Sequence, residues 1–441
     1  MSEEFIYKRD RRYRDYTEDV QAELPSYLDG FFRYQKGSTQ LSTQLEQARD
    51  VQNFLRFIKA TDPDCTELPL KKIPLEKVTG ITADDIDRYI DWLITDSEEK
   101  KKVKPPTVNR RLSSLSNMYK YFMRRGEVAV DPVLLVHRPK QHKKIMCYLS
   151  TQEAAKWIDD IWTLRKMMIK NPETKELIAV PSTAQYRANH LKYVLRDVAM
   201  IMTFLGTGIR VSELVQLDRM NIDLEKRTLR YIHKNGGEGL SEFSSEVQEI
   251  LEMYLGMVPS RLIEKYGAGL YQYLDFCREY CKNRKSTNKS PNAEDIDFLT
   301  RCKDQFGTDD QDFLADMSTL LKFHTCPGRL GLLKDRGTDA VFLSSRGTRI
   351  TAVGVEQIIR NYAQMYPPSA RAKELLTPHG LRKSFAMKLM AETGRVDMVQ
   401  HALNHVSPRT SLEYYARAQA SDVQKATANL EWLTAQKRDK N

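Results

Sequence analysis

Nowhere does the chain carry an apolar run near the roughly 18 residues that a membrane-crossing helix needs, and Met1 to Asp10 is charged, without the apolar stretch of a secretion signal. A cytoplasmic protein with no membrane partner is expected. Cysteine is sparse, with six in 441 residues (Cys65, Cys147, Cys277, Cys281, Cys302, Cys326), which fits a reducing compartment better than a disulfide framework. Cys277, Cys281, His324 and Cys326 lie in one region, but C-x3-C is not a standard zinc pair and no second pair follows it. Reduced, half-buried thiols and no metal are therefore expected. No Gly-Lys dipeptide occurs, which excludes a P-loop, and H-E-x-x-H and paired C-x-x-C motifs are absent. What is present is positive charge: 69 Lys and Arg against 59 Asp and Glu give +10, in a chain of ordinary globular composition at 41% hydrophobic and 29% charged. That excess suits a polyanion, nucleic acid or anionic membrane, and the length suits two or three domains.

From about Glu18 to Arg125 the pattern is helical. Val108, Leu112, Leu115, Tyr119 and Phe122 recur at steps of three and four, with Thr107 as the expected cap and Gly126 as the stop. Lys100, Lys101, Lys102, Lys104, Arg110, Arg111, Lys120, Arg124 and Arg125 fall in this stretch with no acidic residue among them. Without acidic counterparts, a phosphate-tracking face is favoured over a salt-bridged surface helix. Asp131 to Lys144, with Pro132, Pro139, Arg138 and Lys140, reads as a basic interdomain linker. Beyond it Leu191, Val194, Leu195, Val198, Met202 and Leu205 form a helical stripe buried on one side and ended by Gly206. Thr228 to His233, the glycine turn at Asn235 to Gly239 and a return strand predict a small antiparallel sheet. Val341 to Leu343 reads as a short strand, and Val355, Ile358, Ile359 and Tyr362 as another helix. Segments of about 163–188 and 260–337 read as insertions. The fold class expected is mainly α with a small antiparallel β-sheet.

Four segments concentrate groups that bind phosphate or move protons. In Pro378-His379-Gly380-Leu381-Arg382 the histidine and arginine are three apart, on one face of a helix that Pro378 opens. An arginine fork suits two phosphodiester oxygens, and a neighbouring histidine can move a proton or donate a hydrogen bond. Leu403-Asn404-His405 and Tyr414-Tyr415 follow. Thr207-Gly208-Ile209-Arg210-Val211-Ser212-Glu213-Leu214 places a second arginine directly after a tight turn, with Glu213 placed to support it by a buried ion pair.

The boxes TGIRVSEL, HGLR and LNH, and a tyrosine nine residues after His405, resemble in order and spacing the signature boxes of the tyrosine recombinases, the phage-integrase family. The likeness spans roughly Ala199 to Ala416, and Lys100 to Pro139 is similar to the end of the family's helical core-binding domain. Asn404 departs from the pattern, standing where the family usually has glycine. The resemblance implies a two-domain architecture: an extension at 1–17, a helical core DNA-binding domain at 18–136, a linker at 137–147, an α+β catalytic domain at 148–420, and a C-terminal helix at 421–441 that docks on a neighbouring protomer. It implies that Arg210, Arg382 and His405 hold the scissile phosphate, that His379 acts as base, that Lys234 protonates the leaving 5′-oxygen, and that Tyr414 attacks phosphorus to give a 3′-phosphotyrosine. No metal, ATP or other cofactor is implied. The implied activity is site-specific recombination of double-stranded DNA through a Holliday junction, as a homo-tetramer on paired sites, with room for accessory DNA-bending factors and integration or excision of a mobile element as the favoured task. Lys100, Lys101, Lys102, Lys104, Arg110, Arg111, Arg138 and Lys140 are the expected DNA-backbone contacts. A type IB topoisomerase would share the phosphotyrosine chemistry, and a DNA-binding regulator with a relic site would share the fold.

The spacing from His405 selects Tyr414 over its neighbour. Tyr414→Phe is expected to abolish a covalent DNA adduct, seen on a denaturing gel, while leaving DNA binding intact. Loss in Tyr415→Phe instead would shift the assignment by one position.

Overall fold

Two prolines, not Thr107, start the helix that carries the Val108 to Phe122 stripe. Pro105 occupies the first helical position, where its missing N–H would have had no partner in any case, and Lys104 stands at the cap. This is a difference from the sequence reading, and its cause is the φ that proline presets. The helix then runs through Val108, Leu112, Leu115, Tyr119 and Phe122, all buried. Gly126, at φ 74°, donates to the Met123 carbonyl just past the last turn.

The computed structural model describes residues 3–95, 103–140, 147–171, 174, 176–233, 236–267, 269–270, 272–274 and 338–403. The chain divides into two compact units, one ending at Ile145 and one beginning at Met146. The first comprises α1 (Glu3–Ala22), α2 (Asp29–Lys36), α3 (Leu41–Thr61), α4 (Leu75–Thr79), α5 (Ala83–Thr95) and α6 (Pro105–Arg124). Residues 3–17, expected as an extension, belong to α1, which packs along α3. The core is aromatic, with Phe54 on α3 meeting Tyr89 of α5 edge-on at 5.1 Å, and Tyr119 of α6 donating to the Val78 carbonyl. Asp131 is fully buried, accepts from Ser116 Oγ and from the Val133 N–H, and so fastens a 3-10 turn at Pro132–Leu134 to α6. Further on, the Pro139 carbonyl accepts from Asn109 and Arg138 donates to Ser113 Oγ, so the segment read as a linker lies along α6 as far as residue 139.

The second unit comprises α7 (Thr151–Thr163), a hairpin of β1 (Lys166–Lys170) and β2 (Leu177–Pro181), α8 (Ala184–Thr207), α9 (Val211–Leu214), β3 (Ile222–Asp223), β4 (Thr228–Ile232), β5 (Glu238–Glu242), α10 (Ser245–Leu255), α11 (Ser260–Tyr266), α12 (Ala352–Met365), α13 (Ala370–Leu375), α14 (Pro378–Thr393) and α15 (Val396–Ala402). The expected small sheet is β3-β4-β5, antiparallel, with Tyr231 opposite Gly239. The mainly helical class with small antiparallel sheets is as the sequence predicts. Two readings change. Positions 194–201 of α8 are buried all round, because α7, α10 and α14 each pack on that helix. The residues read as a strand at 341–343 make single bridges only, Ala340 with Asp218 and Leu343 with Arg349. The segment 163–188 contains the mostly exposed β1–β2 hairpin. No helix among the described residues is long and apolar enough to cross a membrane.

The acidic counterparts missing from the basic segment come from α3. Asp50, buried, accepts from Ser114 Oγ at 2.7 Å and from Arg110 at 2.6 Å, with the Arg111 guanidinium 3.9 Å away. Removing this carboxylate takes the shared acceptor from Ser114 and Arg110 and the anion beside the buried Arg111. Asp50→Ala should therefore cost about 3 kcal/mol, the low end for a broken buried pair because Arg110 keeps access to water. Urea unfolding of the full chain checks this, and a loss under about 1 kcal/mol, the scale of a surface pair, would contradict it.

Candidate active site

The site is built on the end of α8. Gly208 closes that helix in the left-handed region, at φ 63°, where a Cβ would also lie 2.4 Å from a Phe385 ring carbon. Only glycine fits both the turn and the close approach of α14. The chain then reverses through buried Ile209 and delivers Arg210 to the cap position of α9. Its backbone N–H donates to Glu213 Oε2 at 2.8 Å and its guanidinium to Glu213 Oε1 at 2.8 Å. The supporting ion pair expected at Glu213 is thus present. The Arg210 side chain stays 37% exposed while the Glu213 side chain is 2% exposed. Burial pushes the Glu213 carboxyl up, but the Arg210 N–H, His233 and the Arg210 guanidinium outweigh it and hold the acid below its ordinary value.

Arg382 comes from α14, whose start is fixed by Thr377 capping the Gly380 N–H and by Pro378 in the first turn. Gly380 lets α14 approach the Cys147 carbonyl, which a Cβ would meet at 2.9 Å. The Arg382 guanidinium, 5% exposed, donates to the carbonyls of Gly208 and Leu403. It thereby joins α14 to the turn before Arg210 and to the residue that precedes Asn404 and His405 in sequence. His379 lies on the same helix three positions earlier, at the rim. Although part of the ring reaches solvent, the protein packed around it, then the charges of Lys383, Arg382 and Arg210, hold its pKa below the ordinary histidine value. The bond from Arg382 to Gly208, two residues before Arg210, and the three-residue step from His379 to Arg382 on α14 bring the three into one neighbourhood.

Lys234, His405 and Tyr414, and with them Tyr415 and Asn404, lie outside the described residues, as do Lys100, Lys101 and Lys102, Cys277, Cys281, Cys302, Cys326 and His324, most of the 260–337 segment and all of 421–441. Of the expected DNA contacts, Lys104, Arg138 and Lys140 are exposed. Arg110 is exposed but paired with Asp50 and Glu46. Arg111 does not fit a surface role: it is 8% exposed and donates to Asn53 Oδ1, because the α3 face offers an amide oxygen and a carboxylate where the helix turns inward. Among the described residues no group of three or more His, Cys, Asp or Glu stands together as a metal site.

Sequence reasoning missed two residues that brace the site. His233, at the end of β4, sets its Nδ1 3.0 Å from Glu213 Oε1. Arg349 donates to the carbonyls of Val215 and Leu217 and to Asp218, fixing the chain that leaves α9. A histidine directly before the turn was a usable signal for the first, whereas nothing local marks Arg349.

The phage integrase family model matches residues 168–267 and 318–421. Similar curated proteins include tyrosine recombinase XerC of Pelotomaculum thermopropionicum, 24% identical over 327 residues (74% of this chain, 76% of that protein), and tyrosine recombinase XerC of Treponema denticola, 24% identical over 345 residues (78% and 82%). Among solved structures, the Tn1549 transposon integrase in complex with transposon right end DNA has a TM-score of 0.50 at 14% identity, covering 92% of this chain and 99% of that one. The XerH site-specific recombinase bound to palindromic difH substrate also gives 0.50 at 14% identity, covering 92% and 97%. At that identity the two structures speak for the fold.

The lowered pKa of His379 has a direct readout. A proton binds the folded ring more weakly than a free one, so the neutral form persists to lower pH and predominates at pH 7. The imidazole resonance of His379, assigned by its absence in His379→Gln, is expected to titrate with a midpoint below about 6.5. A midpoint at or above that value would contradict the cationic environment.

Proposed function

Because the chain belongs to the phage integrase family, we propose that it is a site-specific recombinase that cuts and rejoins double-stranded DNA through a 3′-phosphotyrosine. The observation that supports the reading is the Arg382 guanidinium buried against the Gly208 and Leu403 carbonyls, which brings it to the turn before Arg210, with His379 three positions earlier on the same helix. In this reading Arg210 and Arg382 take the two non-bridging oxygens of the scissile phosphate, and His405 donates a further hydrogen bond. Negative charge grows on those oxygens as phosphorus becomes five-coordinate, so fixed cations lower the barrier more than they stabilise the ground state. The Tyr414 phenol, with an ordinary pKa of about 10, is ionised in only about one molecule in a thousand at pH 7. His379, neutral at that pH, is the base that takes its proton. The phenolate oxygen forms the P–O bond, the bond to the 5′-oxygen breaks, and Lys234 protonates the departing hydroxyl. The phosphotyrosine keeps the diester's bond energy, so a 5′-hydroxyl from a second duplex reverses the step without a nucleotide.

The partner is double-stranded DNA, and the working assembly is a homo-tetramer on paired sites that exchanges one strand pair at a time. The segment 421–441 docks on the neighbouring protomer. Integration or excision of a mobile element is the favoured task.

The test uses a pool of duplexes randomised on both sides of a central nick, with the covalent adduct read on a denaturing gel in excess chelator. Wild type is expected to form adduct. Arg210→Ala and Arg382→Ala should each slow it by about a hundredfold or more, about 2.7 kcal/mol of barrier. Strict dependence on magnesium, or wild-type rates in either variant, would overturn the assignment.

A further inference from the structure

We infer that His233 is a positioning residue for Arg210, acting through the buried carboxylate of Glu213. The inference rests on the recombinase reading of Arg210. Glu213 uses one oxygen for the Arg210 N–H, while the other, Oε1, is shared between the Arg210 guanidinium at 2.8 Å and His233 Nδ1 at 3.0 Å. A carboxylate held ionised can only accept, so the hydrogen of this bond belongs to Nδ1, and the tautomer follows from the acceptor.

The donor is built into the sheet. His233 directly follows Ile232, the last residue of β4, and its backbone N–H donates to the Gly237 carbonyl at 2.7 Å. The Tyr231 ring packs edge-on against the imidazole at 5.2 Å. Gly239 of β5 lies against both rings, where a Cβ would stand 2.6 Å from Tyr231 Cε2, 2.7 Å from His233 Nε2 and 2.8 Å from His233 Cε1. A glycine opposite Tyr231 leaves the room that the imidazole occupies.

What the bond adds is a second anchor on the carboxylate. Arg210 and Glu213 are three residues apart on one short helical turn, and the guanidinium is partly open to water. A pair of that kind, left to itself, samples several side-chain geometries. A donor arriving from another element, 20 residues on in sequence, fixes the plane of the carboxylate and so the direction in which Arg210 presents its remaining face. His233 meets the DNA at no point in this account; it acts on the arginine.

The test measures adduct formation on the randomised nicked pool with the full chain, together with melting temperature and the DNA concentration giving half the maximal rate. His233→Leu, similar in bulk but unable to donate, is expected to lower the maximal rate by about tenfold or more, the scale of a hydrogen bond to a charged group, with the half-saturating DNA concentration little changed. His233→Asn, whose side-chain N–H reaches the position of Nδ1–H, should restore most of the rate. Gly239→Ala, whose Cβ would crowd the imidazole and the Tyr231 ring packed on it, should reproduce the loss. Adding His233→Leu to Glu213→Gln should slow the reaction no further than Glu213→Gln alone, since both act on one link. A wild-type rate in His233→Leu, an equal loss in His233→Leu and His233→Asn, or a loss confined to DNA affinity would each overturn the inference. A lowered melting temperature shared by both His233 variants, with unchanged rate per folded molecule, would overturn it too. If wild type itself forms no adduct while binding the pool, the recombinase reading fails, and the inference with it.

Discussion

The Arg382 guanidinium is the point on which the site depends. Its side chain is almost wholly buried, and a buried cation is tolerated only where oxygen atoms replace the water it has lost. Here two backbone carbonyls do so, Gly208 at the end of α8 and Leu403 just after α15. Because those carbonyls belong to segments far apart in the chain, satisfying one charge brings three segments together. Gly208 is required twice over, for its left-handed turn and for the closeness of Phe385 and Leu403. The same residue that turns the chain toward Arg210 therefore supplies an oxygen to Arg382.

Glu213 sets the second constraint. A carboxylate at 2% exposure is costly to keep ionised unless several donors face it. One backbone N–H, one guanidinium and one imidazole do, and their combined effect prevails over burial. The consequence is directional. Glu213 holds Arg210 from the protein side while much of the arginine stays open, so the anion orients the cation without withdrawing it from solvent. At His379 the protein packed around the ring, then the charges of Lys383, Arg382 and Arg210, hold the pKa below the ordinary histidine value.

Periodicity made the framework legible. The α6 stripe, the β4–β5 hairpin and α12 stand where hydrophobic spacing and the glycine turn put them, while α8 follows its stripe but runs through Gly206, expected as its end, to Thr207, because Gly208 is the glycine in the left-handed region. The site was legible as boxes of residue types in order, since Arg210, Glu213, His379 and Arg382 sit in short motifs whose local geometry their own neighbours dictate. What sequence could not supply were contacts made across elements. The burial of α8 on every side depends on which helices surround it. Thr107 is not the cap because Pro105, two positions earlier, presets the first helical turn and leaves Lys104 at the cap. His233 and Arg349 reach their partners through the fold, and no spacing rule connects position 233 to 213 or 349 to 218.

The same limit explains the basic segment. Counted within its own stretch, 100–125 carries positive charge and no negative charge, yet Asp50 and Glu46 on α3 face Arg110, and Arg111 turns inward to Asn53 and Asp50. A helix contributes to a surface together with whatever packs beside it, so charge balance read along the chain is not charge balance in space. Lys104, Lys120, Arg124, Arg125, Arg138 and Lys140 keep their exposure. Structural pairing thus divides a single run of cations: those turned toward α3 hold the helix in place, and the others keep their exposure.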